Sequence, residues 1–248
     1  MKKLLLIAIC LLIPAAAWGW FSIRVAGGPV VASSPAGCTT PADGNVLSEG
    51  FLETGYETAG WTESGSGTID EDHTLVGAWP TDVCSEGLLV SGSASSNSAV
   101  FNSGASYDPA STALDFTYFF KINSHTMAEG DSIYIYGWST DDGSPLGGPF
   151  SVQIRIDTSA FQLCLLPTYN CTNISDDVVY RLILHLDTTA ANSTYDLDSW
   201  NGSTYADVTA GSFTRGSGSG QYLHAGIMAV GAAEAGEIEI GGVWIDTP

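Results

Sequence analysis

Basic residues are what this sequence has least of. Among 248 residues, 7 are Lys or Arg and 27 are Asp or Glu, with 4 His. Two of the seven, Lys2 and Lys3, stand at the extreme N-terminus, so the rest of the chain carries 27 − 5 = 22 net negative charges. That balance argues against nucleic acid and anionic membrane surfaces as partners, since both are polyanions. It admits divalent cations and neutral or cationic partners. Long apolar runs are missing beyond the N-terminal segment, so no stable membrane insertion is expected of the mature chain. Long amphipathic helices are missing too. The richest helical candidate, "AVGAAEAGEIEI", is interrupted by glycines and reads better as turn plus strand. The sequence contains no G-x-S-x-G elbow, no P-loop and no H-E-x-x-H pair, which removes the commonest hydrolase, nucleotide and zinc-protease signatures.

The N-terminal segment "MKKLLLIAICLLIPAAAWGW" has a basic start, an apolar stretch from Leu4 to Ile13 and a small-residue site at Ala15-Ala16-Ala17. It reads as a cleaved secretory signal over residues 1–17, which places the protein outside the cytoplasm, secreted or on the cell surface. Residues 18–45, rich in Gly, Pro, Ala and Ser, read as a lead-in, and residues 46–248 as one domain. Four cysteines follow the signal: Cys38, Cys84, Cys164 and Cys171. An even count in an exported chain implies disulfides, with three pairings possible. In "CLLPTYNC", Cys164 and Cys171 flank a Pro-containing turn between short strands, so this pairing is preferred, leaving Cys38 with Cys84. Neither pair has zinc-ligand spacing with histidines nearby.

From Val46 onward, short segments rich in β-branched and aromatic residues alternate with turn signals: "LDFTYFFKI", "SIYIYGW", "FSVQIRID", "FQLCLL", "VVYRLILHLD", "STYDLDSW", "YLHAGIMAV" and "EIEIGGVWID". Many strands of even size and no helices predict an all-β fold, an antiparallel two-sheet β-sandwich or jelly roll. The opening "EGFLETGYETAGWTESGSGTIDED", the strands "LDFTYFFKI", "FSVQIRID" and "YRLILHLD", the segment "STYDLDSWNG" and the closing "GEIEIGGVWID" resemble the concanavalin A-like lectin/glucanase superfamily, and within it the laminin G-like jelly rolls. The resemblance spans roughly residues 46 to 248. It implies a concanavalin A-like jelly roll and carbohydrate or extracellular-surface binding, with calcium a frequent companion.

Two enzyme branches of that superfamily can be compared residue by residue. Retaining β-glucanases carry a nucleophile Glu, an Asp two residues on and an acid/base Glu just beyond; here Glu237 is followed by Glu239 and then Gly241, on the last strand rather than mid-chain. Alginate-lyase jelly rolls use a Gln-Ile-His strand; Gln153-Ile154 is followed by Arg155. No catalytic residue is therefore assigned: the reading is a non-catalytic module, with a glycoside hydrolase or polysaccharide lyase of the same fold, or a structural or adhesive envelope or virion protein without a small ligand, as the alternatives. The last strand is expected to lie at or near a sheet edge with its acids in solvent. The four histidines, His73, His125, His185 and His224, are expected to be surface or structural.

Strict alternation in "SIYIYGW" would put Ile133 and Ile135 on one face and Tyr134, Tyr136 and Trp138 on the other. Paired with Gln153, Arg155 and Asp157, and rimmed by Asp141 and Asp142, these aromatics would form a carbohydrate-binding face, rings for sugar C–H surfaces and polar groups for hydroxyls. In "TIDEDHT", Asp70, Glu71 and Asp72 offer hard oxygens and are the candidate calcium ligands.

Overall fold

The computed structural model describes residues 47–49, 61–65, 68–81, 83, 86–93, 97–141, 144, 146–229 and 235–247. Its strands are β1 (Leu47–Glu49), β2 (Trp61–Gly65), β3 (Thr68–Thr74), β4 (Glu86–Ser93), β5 (Asn97–Tyr107), β6 (Leu114–His125), β7 (Ser132–Ser139), β8 (Phe150–Asp157), β9 (Ala160–Leu166), β10 (Asn170–Asn173), β11 (Val179–Leu186), β12 (Ser193–Trp200), β13 (Tyr205–Phe213), β14 (Gly220–Ala229) and β15 (Ala235–Asp246). One 3-10 turn, Ala190–Asn192, precedes β12. The first sheet runs β13-β12-β11-β6-β15-β4-β3, with β1 also paired to β15; the second runs β10-β9-β8-β7-β14-β5-β2. The described pairings are antiparallel throughout. This is the antiparallel two-sheet β-sandwich expected, a jelly-roll arrangement.

Period-two patterning explains the sandwich. In β6, Leu114, Phe116, Tyr118, Phe120 and Ile122 point into the interior; in β11, Tyr180, Leu182, Leu184 and Leu186 do; in β8, Phe150, Val152 and Ile154 meet them from the second sheet. Rings interlock across the interior: Phe116 lies 5.0 Å from Trp138 and from Phe150, and Tyr118 stacks on Tyr136 at 4.2 Å.

Two central strands break the alternation, each by one extra residue. The β7 ladders shift register between Tyr134 and Tyr136, and the facing β14 ladder shifts between Ala225 and Met228. The inward set therefore switches parity, from Ile133 to Tyr136 and Trp138, with Ile135 also buried. In β15 the shift falls between Ile240 and Gly242, so Ile238 and Ile240 hand over to Val243 and Ile245.

The last strand corrects an expectation. β15 is central, paired along its length with β6 on one side and on the other with β4 up to Ile240 and then with β1, and Glu239 is 0% exposed. Leu75, Val76, Trp79 and Val83 cover it. Leu75 and Val83 pack with Phe119 and Trp244 into a second apolar cluster outside the first sheet, with Trp79 and Tyr205 at its margin. Glycine makes the seat: a Cβ on Gly241 would lie 2.5 Å from Val83 Cγ1 and 2.6 Å from the Trp79 ring. Cys164 and Cys171 form a disulfide between the paired strands β9 and β10. Residues 1–46, and with them the signal, the lead-in and the Cys38–Cys84 pairing, lie outside the described residues.

Candidate functional site

The polar positions of the first sheet project from its outer face, and register stacks them into rows. Lys121 of β6 stands opposite Glu239 of β15, which stands opposite Leu89 of β4. Arg181 of β11 is paired with Phe119 on one side and Asp198 of β12 on the other, and Asp198 faces Asp207 of β13. Asp196 lies two residues before Asp198 on the same strand. The outer face thus has a covered part under Leu75–Val83 and a part beside it formed by β11, β12 and β13.

On that second part three carboxylates converge. Asp196, Asp198 and Asp207 each bring one oxygen within 4.8 Å of the others, a set that could hold a metal ion. Arg181 donates from Nε and Nη2 to Asp198 Oδ2 at 3.1 and 2.6 Å, and its guanidinium lies 3.7 Å over the Tyr205 ring. Tyr205 in turn contacts the Trp200 ring at 5.0 Å. Burial, then the charges of Asp198 and Asp207, raise the pKa of Asp196 above its ordinary 3.8, with Arg181 opposing the shift. Two polar atoms here, Asp196 Oδ1 and Trp200 Nε1, are buried with no hydrogen-bond partner. A carboxylate acceptor, an indole donor and two rings in contact are groups that meet a sugar's hydroxyls and C–H faces.

Sequence reasoning missed this site. The alternation in "STYDLDSW" placed Asp196, Asp198 and Trp200 on one face in principle; what no local pattern reveals is that Arg181, Tyr205 and Asp207 arrive beside them by cross-strand register.

The expected aromatic face is rearranged. Tyr136 and Trp138, the latter 1% exposed, belong to the interior because of the β7 bulge, and cannot present rings to a ligand. Tyr134 and Gln153 do share the outer face of the second sheet as cross-strand partners, both largely buried, and Gln153 Nε2 donates to Ser132 Oγ at 2.8 Å. Burial raises the Tyr134 pKa, with Tyr169 adding to the shift. Arg155 and Asp157 pair with each other at 3.1 Å. The backbone carbonyl of Asp141 lies 2.9 Å from His224 Nε2 and accepts from Ser139 Oγ at 2.8 Å; Asp142 lies outside the described residues. Among the calcium candidates, Asp70 lies 3.3 Å from His73 Nδ1, and the side chains of Glu71 and Asp72 lie outside the described residues.

The fold and the outer-face cluster together define a class, a jelly-roll sandwich with an acidic and aromatic patch on one sheet. No protein-family model matches the chain, and no curated protein does. Solved structures do. A protein of unknown function from Shewanella oneidensis MR-1 is similar at a TM-score of 0.50 and 13% identity, over 80% of this chain and 84% of that one. The lectin of peanut is similar at a TM-score of 0.48 and 10% identity, over 82% and 99% of the two chains. The marine PL7 alginate lyase AlyA1 from Zobellia galactanivorans is similar at 0.46 and 14%, over 66% and 78%. At such identities the likeness concerns the fold alone. Among the described residues no helix is long and apolar enough to cross a membrane, which says nothing of strands.

Proposed function

We propose that this protein is a secreted or cell-surface, non-catalytic jelly-roll module that binds a carbohydrate chain on the outer face of its first sheet. Asp196, Asp198 and Asp207 accept hydroxyl hydrogens, Trp200 Nε1 donates, and the Trp200 and Tyr205 rings pack against sugar C–H faces. The single observation that supports this reading is the pair of buried, partnerless atoms, Asp196 Oδ1 and Trp200 Nε1, on the same outer face as two rings in contact. Buried polar atoms are nearly always satisfied in folded proteins, so unsatisfied ones mark where a ligand or ordered solvent completes the set. The acidic surroundings favour neutral glycans over uronate or sulfate polymers. A calcium ion held by the three aspartates would fit the same site and offer further coordination to sugar hydroxyls. The resemblance of the sequence patterns to laminin G-like jelly rolls is in keeping with this role.

A second reading is favoured by one observation. Asp196 has a raised proton affinity and lies close to Asp198, which pairs with Arg181 at 2.6 Å, and two neighbouring carboxyl groups in unlike surroundings are what a retaining glycosidase requires. In that case Asp196 would be the acid and Asp198 the nucleophile.

One experiment separates the two. The purified chain is passed over a panel of neutral, amino and anionic polysaccharides, with calcium and with EDTA, and the eluates are assayed for new reducing ends. Retention on one glycan class, lost in Trp200→Ala, with no reducing ends, supports the binding module. New reducing ends that disappear in Asp198→Asn support the hydrolase. No retention and no product would overturn both.

A further inference from the structure

The covered half of the outer face holds a group the binding reading does not use. Lys121 and Glu239 are direct cross-strand partners on the central strands β6 and β15, 6% and 0% exposed, with Lys121 Nζ against Glu239 Oε2. Their surroundings are apolar: Phe119 precedes Lys121 by two residues, and Leu75, Val83 and Trp244 cluster beside them. Glu239 Oε1 faces two hydrogen-bonding groups, His73 Nε2 at 3.0 Å and the Val76 backbone N–H at 3.2 Å. Lys121 Nζ also donates to the Val76 carbonyl at 2.7 Å, which fixes the direction of the amine.

A buried ion pair is an expensive arrangement, because both charges lose their hydration and only good geometry offsets the loss. The same contact also holds an amine and a carboxyl group side by side, on paired central strands and away from bulk water. We propose that Lys121 and Glu239 are joined by a self-formed isopeptide bond, making this pair a modification site of the protein.

The step balances without any co-reactant. One proton passes from the Lys121 ammonium to Glu239 Oε2, leaving a neutral amine and a neutral carboxylic acid. The Nζ lone pair forms a bond to Glu239 Cδ, and the carbonyl electrons move onto Oε1. His73 Nε2–H and Val76 N–H donate to that oxygen as its charge develops, as an oxyanion hole does. The surplus proton on nitrogen then moves to the Oε2 hydroxyl, the Cδ–Oε2 bond breaks, one water leaves and the Oε1 carbonyl re-forms. The product is a neutral amide that links the two middle strands of the first sheet and closes the floor beneath Leu75–Val83.

The test is the mass of the full chain as purified, reduced and denatured. The expected result is a mass lower than the sequence by one water, with trypsin failing to cut after Lys121 and tandem spectra showing a branched peptide that joins the Lys121 and Glu239 segments. A chain of full sequence mass with free Lys121 overturns the proposal and leaves an ordinary buried ion pair. Lys121→Arg keeps the cation but cannot form the bond, so its mass must equal its sequence; a water deficit persisting in that variant would also overturn the assignment. In His73→Ala the bonded fraction should fall, and undiminished bonding there would remove His73 from the step. The wild-type mass decides the matter even if a variant fails to fold.

Discussion

The two outer faces of the sandwich differ in what they carry. On the first sheet, register brings together most of the charged groups that touch one another: Lys121 with Glu239 and His73, Arg181 with Asp198, and His185 with Asp115. On the second sheet the corresponding positions hold Gln153, Ser151, Ser139, His224, Tyr134 and the half-cystine Cys164, all buried, with one ion pair, Arg155 with Asp157, at the end of β8. The difference teaches where chemistry can reside. Small uncharged polar groups can be tied off by neighbouring backbone, as Ser139 and His224 are by the carbonyl of Asp141. A buried charged atom needs an opposite charge, a hydrogen bond or a ligand, and on the first sheet Asp196 Oδ1 is buried without a hydrogen-bond partner, beside Asp198 and the exposed Asp207. The second sheet's outer face is largely tied off by its own neighbours, and the proposed site lies on the first.

The sharpest way to break this contrast is Trp138→Ala. Were Trp138 a ligand-facing ring, its loss would cost affinity and little stability. As a core residue between Phe116 and Tyr107, its truncation should cost about 3–5 kcal/mol of unfolding free energy. Urea unfolding monitored by fluorescence measures that loss. A variant as stable as the parent would return the aromatic strand to the surface.

A smaller effect is expected from the disulfide on the second sheet. Replacing Cys164 and Cys171 together by Ser opens a link between residues seven apart in sequence. That short loop should cost about 2–3 kcal/mol through the freed unfolded chain. The same unfolding experiment checks it, and glycan retention should be unchanged, because the link lies on the opposite sheet from Asp196 and Trp200. Loss of retention at intact stability would relocate the site to the second sheet.

How far the sequence reached can be judged from particular strands. β6, β8 and β11 keep strict alternation, so their inward sets were legible from period two alone. β7 was legible as a strand but not as a face: one inserted residue reverses the parity of everything after it, and a bulge leaves no mark in "SIYIYGW" that differs from ordinary alternation. β15 failed for a different reason. Its alternating Glu237 and Glu239 fit a solvent-facing strand, but the residues that bury Glu239 lie on Leu75–Val83, more than 150 positions earlier. The pair Gly241-Gly242 was the available signal, since adjacent glycines on a central strand mark a close approach of other chain. The Asp196 site needed three strands in register, information that a single sequence does not hold.

The smallest expected effect belongs to Asp196 itself, and its sign follows from linkage. The folded state holds the Asp196 proton more tightly than the unfolded chain does, because burial and then Asp198 and Asp207 disfavour the charge. Between the ordinary aspartate value and the raised one, the folded state therefore binds more protons, and stability attributable to this group falls as pH rises through that window. Below the window the contribution is fully present; above it the deficit is constant. Asp196→Asn removes the titration, so the variant should gain stability relative to the parent as pH climbs from about 3.5 toward neutrality, by a modest amount because the group is not deeply buried. Urea unfolding of both proteins across that range measures the difference. Adding calcium supplies the second axis. A cation seated among Asp196, Asp198 and Asp207 would relieve the repulsion in the parent and not in the variant, so the gap between them at neutral pH should close or reverse with calcium present. A gap indifferent to both pH and calcium would mean that Asp196 is solvated like any surface acid, and the contrast between the two faces would then rest on Lys121 and Glu239 alone.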